Sequence, residues 1–243
     1  FDGALSDAVR LVWCEDNAGS EVLWIMRKRD RLTQIAPSAF GGTPVSIGVV
    51  GHRDLPEAEC SRIVKLLTSI LTTYRDEHPH TPIVVLTALA EGADRLAAEA
   101  ALSVAGVSVL AVLPMPIEEC RRDFDDPQSS ARFDASLASA HGVVIVSEHW
   151  PDRQQIGLSF DLPEIRDLAY QRCARFISLF SHILIAIWDG EDPKLIGGTA
   201  DTVYHRVPQL EGLTATRHVE FPTGRPPETT IHLPVTRLNR QEP

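Results

Sequence analysis

Short runs of apolar residues, bounded by glycine, proline and polar clusters, recur along the chain from residue 45 onward. Five of these runs lack the alternation of apolar and polar positions that a half-exposed strand shows, so they predict strands buried on both faces. The predicted strands are Val45–Val50, Ile83–Leu86, Val107–Leu113, Val143–Val146 and Ile183–Ile187. A last strand is predicted at Thr230–Val235.

Segments with helical spacing of apolar residues lie between the predicted strands. The first is predicted to begin at Pro56, and further helices are predicted at Ala93–Val104, near Ser130–Ala140 and from Leu162 onward. The buried face of the first helix is expected to carry Ile63, Leu66, Leu67, Ile70 and Tyr74. Alternating strands and helices predict an α/β fold, a Rossmann-like doubly wound, mainly parallel sheet with helices on both faces.

The first 44 residues do not follow this alternation. Two apolar segments at 9–13 and 21–28 surround a turn-rich cluster and predict a β-hairpin, and a Gly-Gly-Thr-Pro linker follows at 41–44. We therefore expect an N-terminal hairpin and linker over residues 1–44 and a nucleotide-binding domain over residues 45–243. The polar stretches at 117–130 and 149–161 are predicted to be loops.

Composition narrows the classes of function. The 243 residues are 44% apolar and carry a net charge of −10, which suits one good core and offers no basic surface, so we expect no nucleic-acid partner. No apolar run is long enough to span a membrane and no signal peptide is present, although the start at Phe1 leaves open that the chain is part of a longer protein. The four cysteines match no zinc or redox spacing and are expected to be reduced thiols of a cytoplasmic protein: Cys14, Cys60, Cys120 and Cys173.

The carboxyl ends of the strands are where such sheets bind ligands. Several of these ends are glycine-containing turns that enter helices, and residues 182–206 combine a buried strand, a Gly-Gly-Thr turn and a helix start. Glycine lets a ligand approach the backbone closely, and a helix start presents N–H groups to a phosphate. The residues predicted to bind ligand at this edge are Gly51, His52, Arg53, Ala90, Glu91, Gly92, Asp94, Trp188, Asp189, Gly190, Gly197, Gly198 and Thr199.

Four of these side chains have a specific chemistry, each with an alternative. Arg53 suits bidentate binding of a phosphate, or an ion pair with a neighbouring carboxylate. Glu91 suits a ribose hydroxyl, while Asp94 is either a ligand contact or the cap of the helix that begins there. Trp188 either stacks on a base or belongs to the core. The sequence contains no P-loop, dinucleotide fingerprint or nucleophile elbow, and we predict neither a catalytic residue nor a metal site.

Four motifs resemble those of the SLOG superfamily and occur along this chain in the order that the superfamily has. They are IGVVGHRDL, LTALAEGADRLAAEAAL, VLPMPIEECRRDF, and ILIAIWDG followed by GGTADTV, and the resemblance covers about Val45 to Arg206. It implies a Rossmann-like fold related to the DprA and LOG proteins. It also implies a sensor of a nucleotide second messenger, either an NAD derivative or a cyclic nucleotide. Such domains occur in bacterial antiviral defence and in the cytosolic part of TRP melastatin channels.

The LOG enzymes, which release the base from a nucleoside monophosphate, imply an alternative. Their motif P-G-G-x-G-T-x-x-E places a catalytic glutamate three residues after its threonine, where this chain has Thr202, with Asp201 beside it. We therefore expect a sensor domain rather than an enzyme, with a nucleotide as its ligand and no other cofactor. We also expect a homo-oligomer that regulates a fused or partner effector. The alternatives are a LOG-like phosphoribohydrolase and an interaction module that has lost its ligand.

Overall fold

The computed structural model describes residues 10–15, 21–26, 33–35, 44–150, 159–191, 198–199, 202–203 and 229–238, the first three ranges for their backbone alone. Strands β1 (Arg10–Glu15), β2 (Glu21–Met26) and β3 (Thr33–Ile35) form an antiparallel sheet in the order β1-β2-β3. The β1–β2 pair is the predicted hairpin, and β3 extends it. The division of the chain into two domains stays a prediction.

The main sheet has six strands in the order β7-β6-β5-β4-β8-β9, and every pairing in it is parallel. This arrangement confirms the predicted α/β, Rossmann-like fold. All of β8 is buried, as its unbroken apolar run predicts. The strands are β4 (Val45–Gly51), β5 (Ile83–Thr87), β6 (Val107–Leu113), β7 (Gly142–Ile145), β8 (Ile183–Trp188) and β9 (Thr229–Pro234).

The strand order reverses between β4 and β8. The chain places β5, β6 and β7 successively on one side of β4, and then places β8 and β9 on its other side. At their carboxyl ends β4 and β8 are in register, with Gly51 opposite Ile187. Because the connections from the two strands diverge at this point, a crevice remains outside their carboxyl ends, and open α/β sheets bind ligands there.

Helices connect the strands. Within the described residues they are α1 (Glu57–Glu77), α2 (Ala93–Ser103), α3 (Ile117–Arg121), α4 (Pro127–Ser139) and α5 (Pro163–Leu179). Helix α1 buries Ile63, Leu67 and Leu71, which follow one another at four-residue spacing. Leu66, predicted for the same face, lies beside this row and is 37% exposed. No helix among the described residues is long and apolar enough to cross a membrane.

Two glycines of β4 show that helices cover both faces of the sheet. A Cβ atom at Gly48 would lie 2.8 Å from Ile177 of α5, whereas one at Gly51 would lie 2.4 Å from Ala93 of α2. Residues three apart on a strand point to opposite faces. Helices α2 and α5 therefore pack on opposite faces of β4, and both reach its carboxyl end.

Besides one-residue shifts at other strand ends, the structure differs from the sequence prediction at the start of α4, at α3 and at the end of β7. Helix α4 begins at Pro127 rather than near Ser130, because the side chain of Asp126 caps it by accepting from two backbone N–H groups of the first turn. Helix α3 lies within the stretch predicted as a loop. Strand β7 ends one residue early because the chain turns into a 3-10 helix over Val146–His149.

Candidate functional site

A cleft of about 650 Å³ opens at the carboxyl edge of the sheet, where the strand order reverses. Its walls are the turns after β4, β5 and β8, the first turn of α2 and one side of α5. Apolar side chains including Ala88, Ala174 and Ile177 line part of it, and charged side chains line the rest. Volume and lining are those of a site for a small molecule.

Backbone contacts fix the turn after β4 between β8 and α2. The His52 N–H donates to the Ile187 carbonyl oxygen at 3.0 Å, and the Ala93 N–H donates to the His52 carbonyl oxygen at 3.0 Å. Gly92 has a φ of +73°, and a Cβ atom there would lie 2.4 Å from the His52 carbonyl oxygen. Together with Gly51, which lies against Ala93, it lets these elements approach closely. The two glycines thus form the frame that positions the charged side chains.

A chain of polar contacts runs along the cleft from Arg53 to Arg166. The guanidinium carbon of Arg53 lies 4.4 Å from the centre of the Tyr170 ring, a cation–π contact. The Tyr170 hydroxyl donates to one oxygen of Asp123, and Arg166 donates to the other. Both oxygens of Asp123 are therefore occupied. Within the described residues, Arg53 forms no ion pair with a carboxylate.

Arg53 keeps its charge in this setting. Burial lowers the pKa of its guanidinium, but Tyr170, Asp94 and Asp123 outweigh this effect and raise the pKa overall. Although Arg53 is exposed as a whole residue, its guanidinium lies against Tyr170, so the positive charge is held at the cleft wall. Burial also raises the pKa of Tyr170, which keeps its hydroxyl protonated and able to donate to Asp123.

Asp94 places a buried carboxyl group in the same cleft. The residue is 9% exposed and lies in the first turn of α2, where Thr87 Oγ1 donates to its carbonyl oxygen at 2.9 Å. Burial raises the pKa of the Asp94 carboxyl to about 7, against the opposing effects of Arg53 and the Ala90 N–H. Its Oδ1 accepts no hydrogen bond from any described residue. Asp94 is thus a carboxyl group with one unused oxygen.

Two further polar pairs flank the cleft. His52 Nε2 lies 3.1 Å from Asp189 Oδ1, but this contact does not meet hydrogen-bond geometry. Burial raises the pKa of Asp189, but His52 and the Glu191 N–H, which donates at 3.2 Å, lower it overall. Arg237 Nε donates to both oxygens of Asp54, at 3.0 and 3.1 Å. The charges of Arg237 and Asp54 are therefore used within the protein.

The Gly-Gly-Thr turn is described in part. Gly198 and Thr199 line the cleft, and Thr199 has a helical conformation. The backbone N–H and the hydroxyl of Thr202 both donate to the Gly198 carbonyl oxygen, at 3.1 and 3.2 Å. Gly197 lies outside the described residues, so its predicted phosphate contact stays a prediction.

The cleft brings together most of the residues predicted to bind ligand. Glu91, predicted to accept from a ribose hydroxyl, is not among them, because its carboxylate accepts from Ser129 of α4 and lies 3.8 Å from Arg95. Gly92 and Gly190 also lie outside the lining. The predicted residues that do line the cleft are Gly51, His52, Arg53, Ala90, Asp94, Trp188, Asp189, Gly198 and Thr199.

Trp188 lies mainly in the core. The residue is 7% exposed, and its ring centre lies 5.5 Å from that of His232. Of the two roles considered for Trp188, burial favours packing over stacking on a base.

Sequence reasoning missed the cleft residues that come from a helix and from the chain after β9. Arg166 and Tyr170 stand four residues apart on α5, so the helical repeat puts them on one side. That spacing is the signal that could have found them, once this side of α5 is turned towards the strand ends. Asp123 and Arg237 carry no comparable local signal.

The cleft contains a cysteine thiol, which is buried and protonated. The described residues contain no group of three or more side chains that could hold a metal ion. The thiol of Cys173 lines the cleft and donates to the Val112 carbonyl oxygen at 3.1 Å. Burial raises its pKa well above the usual value, so Cys173 stays protonated and is a poor nucleophile.

No protein-family model and no curated protein matches this chain. A solved structure with a similar fold is that of DNA processing protein A from Helicobacter pylori, described for its unique single-stranded DNA binding mode. The two chains share 14% identity with a TM-score of 0.43, over 81% of this chain and 68% of the other. At these values the likeness concerns the fold alone. Membership of the SLOG superfamily stays a prediction.

The expectation that nucleic acid is excluded as a partner is contradicted by this comparison, because the neighbouring structure is described as binding single-stranded DNA. Our exclusion rested on the net charge of −10. That reasoning was insufficient, since local N–H groups and individual arginines can bind an anion in an acidic protein.

Proposed function

We propose that this chain is a ligand-binding domain whose cleft recognises a small nucleotide-type anion. The observation that carries the proposal is Arg53, a charged guanidinium at the cleft wall that forms no ion pair with a described carboxylate. Arg166 and Arg237, which also line the cleft, are each paired with a carboxylate. Of these three arginines, Arg53 therefore has charge to offer an incoming phosphate.

The position of Arg53 supports a phosphate rather than a carboxylate of the protein as its partner. The contact with Tyr170 covers one face of the guanidinium, and no described carboxylate forms an ion pair with its planar N–H fork, which suits oxygen atoms of a phosphate. Gly198 and Thr199 line the same cleft at a helical turn, where backbone N–H groups favour an anion. A phosphate between Arg53 and this turn would meet positive charge from both.

The size of the cleft supports a nucleotide. Its volume of about 650 Å³ lies within the range of roughly 300–1,000 Å³ usual for small-molecule sites. The apolar part of the lining suits a base or a sugar face, while the charged part suits a phosphate. We propose a sensor role, with an NAD derivative or a cyclic nucleotide as the signal and a fused or partner effector as its target.

The phosphoribohydrolase alternative meets an obstacle at Thr202. This threonine is 2% exposed, and its hydroxyl donates to the Gly198 carbonyl oxygen. A threonine hydroxyl cannot supply the general acid–base catalysis of a carboxylate, which is typically worth about 10² to 10⁴ in rate. The binding function is therefore the better supported of the two.

The test is a search for the ligand. Small molecules released from the denatured purified protein are identified by mass spectrometry. In parallel, AMP, ADP, ATP, NAD⁺, ADP-ribose, cyclic AMP and cyclic GMP are titrated calorimetrically into the folded protein. We expect at least one of them to bind at a one-to-one ratio. Failure of all seven to bind, together with no nucleotide released, would refute the proposal.

A further inference from the structure

The unused carboxylate oxygen of Asp94 is the feature of the cleft that the proposed phosphate contact leaves unexplained. Asp94 is 9% exposed, and its Oδ1 accepts no hydrogen bond from the described residues. Buried polar atoms almost always have a hydrogen-bond partner, because burying one without a partner is costly. Because Asp94 lines the cleft, its unpaired acceptor points to a donor on the ligand.

The other carboxylates that face the cleft do not combine burial with an oxygen that lacks a hydrogen-bond partner. Asp123 is occupied by Arg166 and Tyr170, Asp54 by Arg237, and Asp189 lies against His52. Asp167 and Glu191 also line the cleft, but both are exposed to solvent. Asp94 combines deep burial with an unused oxygen. Its electrostatic neighbour Arg53 is the arginine that lacks an ion-pair partner among the described carboxylates. The cleft thus holds one available cation close to one available acceptor.

This pair fits a ligand in which a hydrogen-bond donor lies close to an anion. In a 5′-nucleotide the donors nearest the phosphate are the ribose hydroxyls, and an ionised carboxylate accepts hydrogen bonds from hydroxyl groups strongly. Resting on the proposed function, we propose that Asp94 accepts from a ribose hydroxyl and makes the cleft selective for ribonucleotides over deoxyribonucleotides. Glu91, the residue that the sequence suggested for this role, faces Ser129 and Arg95 instead.

The surroundings of Asp94 suit an acceptor that ionises when the ligand arrives. Arg53 from the turn after β4 faces it, as does the buried thiol of Cys173 from α5, whose raised pKa keeps it uncharged. The start of α2 and the Ala90 N–H favour the negative charge, while burial opposes it and brings the pKa to about 7. Near neutral pH a hydroxyl donor would therefore draw the carboxyl towards its ionised form and release a proton.

The experiment compares AMP with its 2′-deoxy and 3′-deoxy analogues by calorimetry at pH 7. For the parent we expect at least one analogue to bind about tenfold or more weakly than AMP, the effect of losing a hydrogen bond to a charged group. In Asp94→Asn this difference should fall below about twofold, since an amide is a weaker acceptor. Glu99→Gln, which removes an exposed carboxylate from the same helix, is the control and should keep the discrimination of the parent.

A second readout separates recognition from a merely structural role of Asp94. Titrations of AMP in buffers with different ionisation enthalpies measure protons released on binding, and a pKa of about 7 predicts release of about half a proton at pH 7. Asp94→Asn should remove most of this release and leave only the small part that comes from the phosphate of AMP, whose second pKa is about 6.

The outcomes separate the two proposals. If AMP and both deoxy analogues bind the parent within about twofold of each other, or if Asp94→Asn still discriminates, the role of Asp94 is overturned while the cleft remains a nucleotide site. If neither AMP nor its analogues bind the parent at all, the assignment of Asp94 to the ribose of an AMP-type ligand is overturned. The nucleotide panel then decides whether the proposed function fails with it.

Discussion

Replacing Asp94 by asparagine should change how the stability of the protein depends on pH. Asp94 is 9% exposed, and burial raises the pKa of its carboxyl from 3.8 to about 7 in the folded chain. Asparagine has nearly the same shape and does not titrate. The difference in unfolding free energy between the parent and Asp94→Asn therefore isolates the titration of this one group.

The direction of this pH dependence follows from which state of the chain keeps the proton of Asp94. Below a pH of about 3.8 the carboxyl is protonated in both the folded and the unfolded chain, so its contribution does not change with pH. Between about 3.8 and 7 the folded chain keeps the proton that the unfolded chain has lost, so the free energy of unfolding of the parent falls as pH rises. A shift from 3.8 to about 7 at about 1.36 kcal/mol per pH unit predicts a loss of about 4 kcal/mol, complete above about pH 7.

Urea denaturation of both proteins between pH 4 and pH 8, followed by circular dichroism, measures this difference. Relative to the parent, Asp94→Asn should gain about 4 kcal/mol of stability over this range, while Glu99→Gln, an exposed position on the same helix, should gain little. A flat difference for Asp94→Asn would refute the reasoning, because it would mean that Asp94 has the same pKa in the folded and unfolded chains.

Two further predictions concern the frame of the cleft and the absence of efficient catalysis. Gly92→Ala should lower the unfolding free energy by about 1–3 kcal/mol more than Gly106→Ala, measured by urea denaturation. Both glycines have positive φ, but a Cβ atom at Gly92 would lie 2.4 Å from the His52 carbonyl oxygen, whereas one at Gly106 would lie no closer than 3.7 Å to Arg75. Equal losses of stability in the two variants would contradict the role of Gly92 in the close packing. Because Thr202 stands in place of a glutamate, the protein should release adenine from AMP at well below about 1 s⁻¹, as measured by chromatography of the products. Turnover at or above that rate would favour the hydrolase.

The sheet could be predicted because each strand is an isolated apolar run. Ile183–Trp188 is buried throughout, and such a run between a polar residue and an Asp-Gly turn leaves little choice of element. Helix boundaries were harder to predict where a capping side chain sets them. Asp126 caps α4, which therefore begins earlier than the apolar spacing indicates.

The cleft could be predicted only where its residues follow the strands directly. Arg53 comes from the turn after β4 and Asp94 from the start of α2, just after β5, so the parallel order of the sheet brings them to one edge. Tyr170 comes from α5, and apolar spacing does not state which side of a helix faces the strand ends. Of the two carboxylates at residues 91 and 94, only that of Asp94 belongs to a residue lining the cleft, because the carboxylate of Glu91 lies against α4.

Binding of a nucleotide through Arg53 is the central claim, and calorimetry on three proteins tests it most directly. The parent, Arg53→Ala and Arg75→Ala are titrated with the tightest ligand of the nucleotide panel, after melting curves have established that each variant folds. Arg75 belongs to the last turn of α1 and donates to Ala105 ahead of β6, at the opposite edge of the sheet, so its loss is a matched control.

Arg53→Ala should bind about tenfold or more weakly than the parent, corresponding to roughly 1.5–3 kcal/mol for a charge-assisted hydrogen bond. Arg75→Ala should bind as the parent does. A folded Arg53→Ala variant with the affinity of the parent would contradict the claim and move the phosphate away from this wall of the cleft.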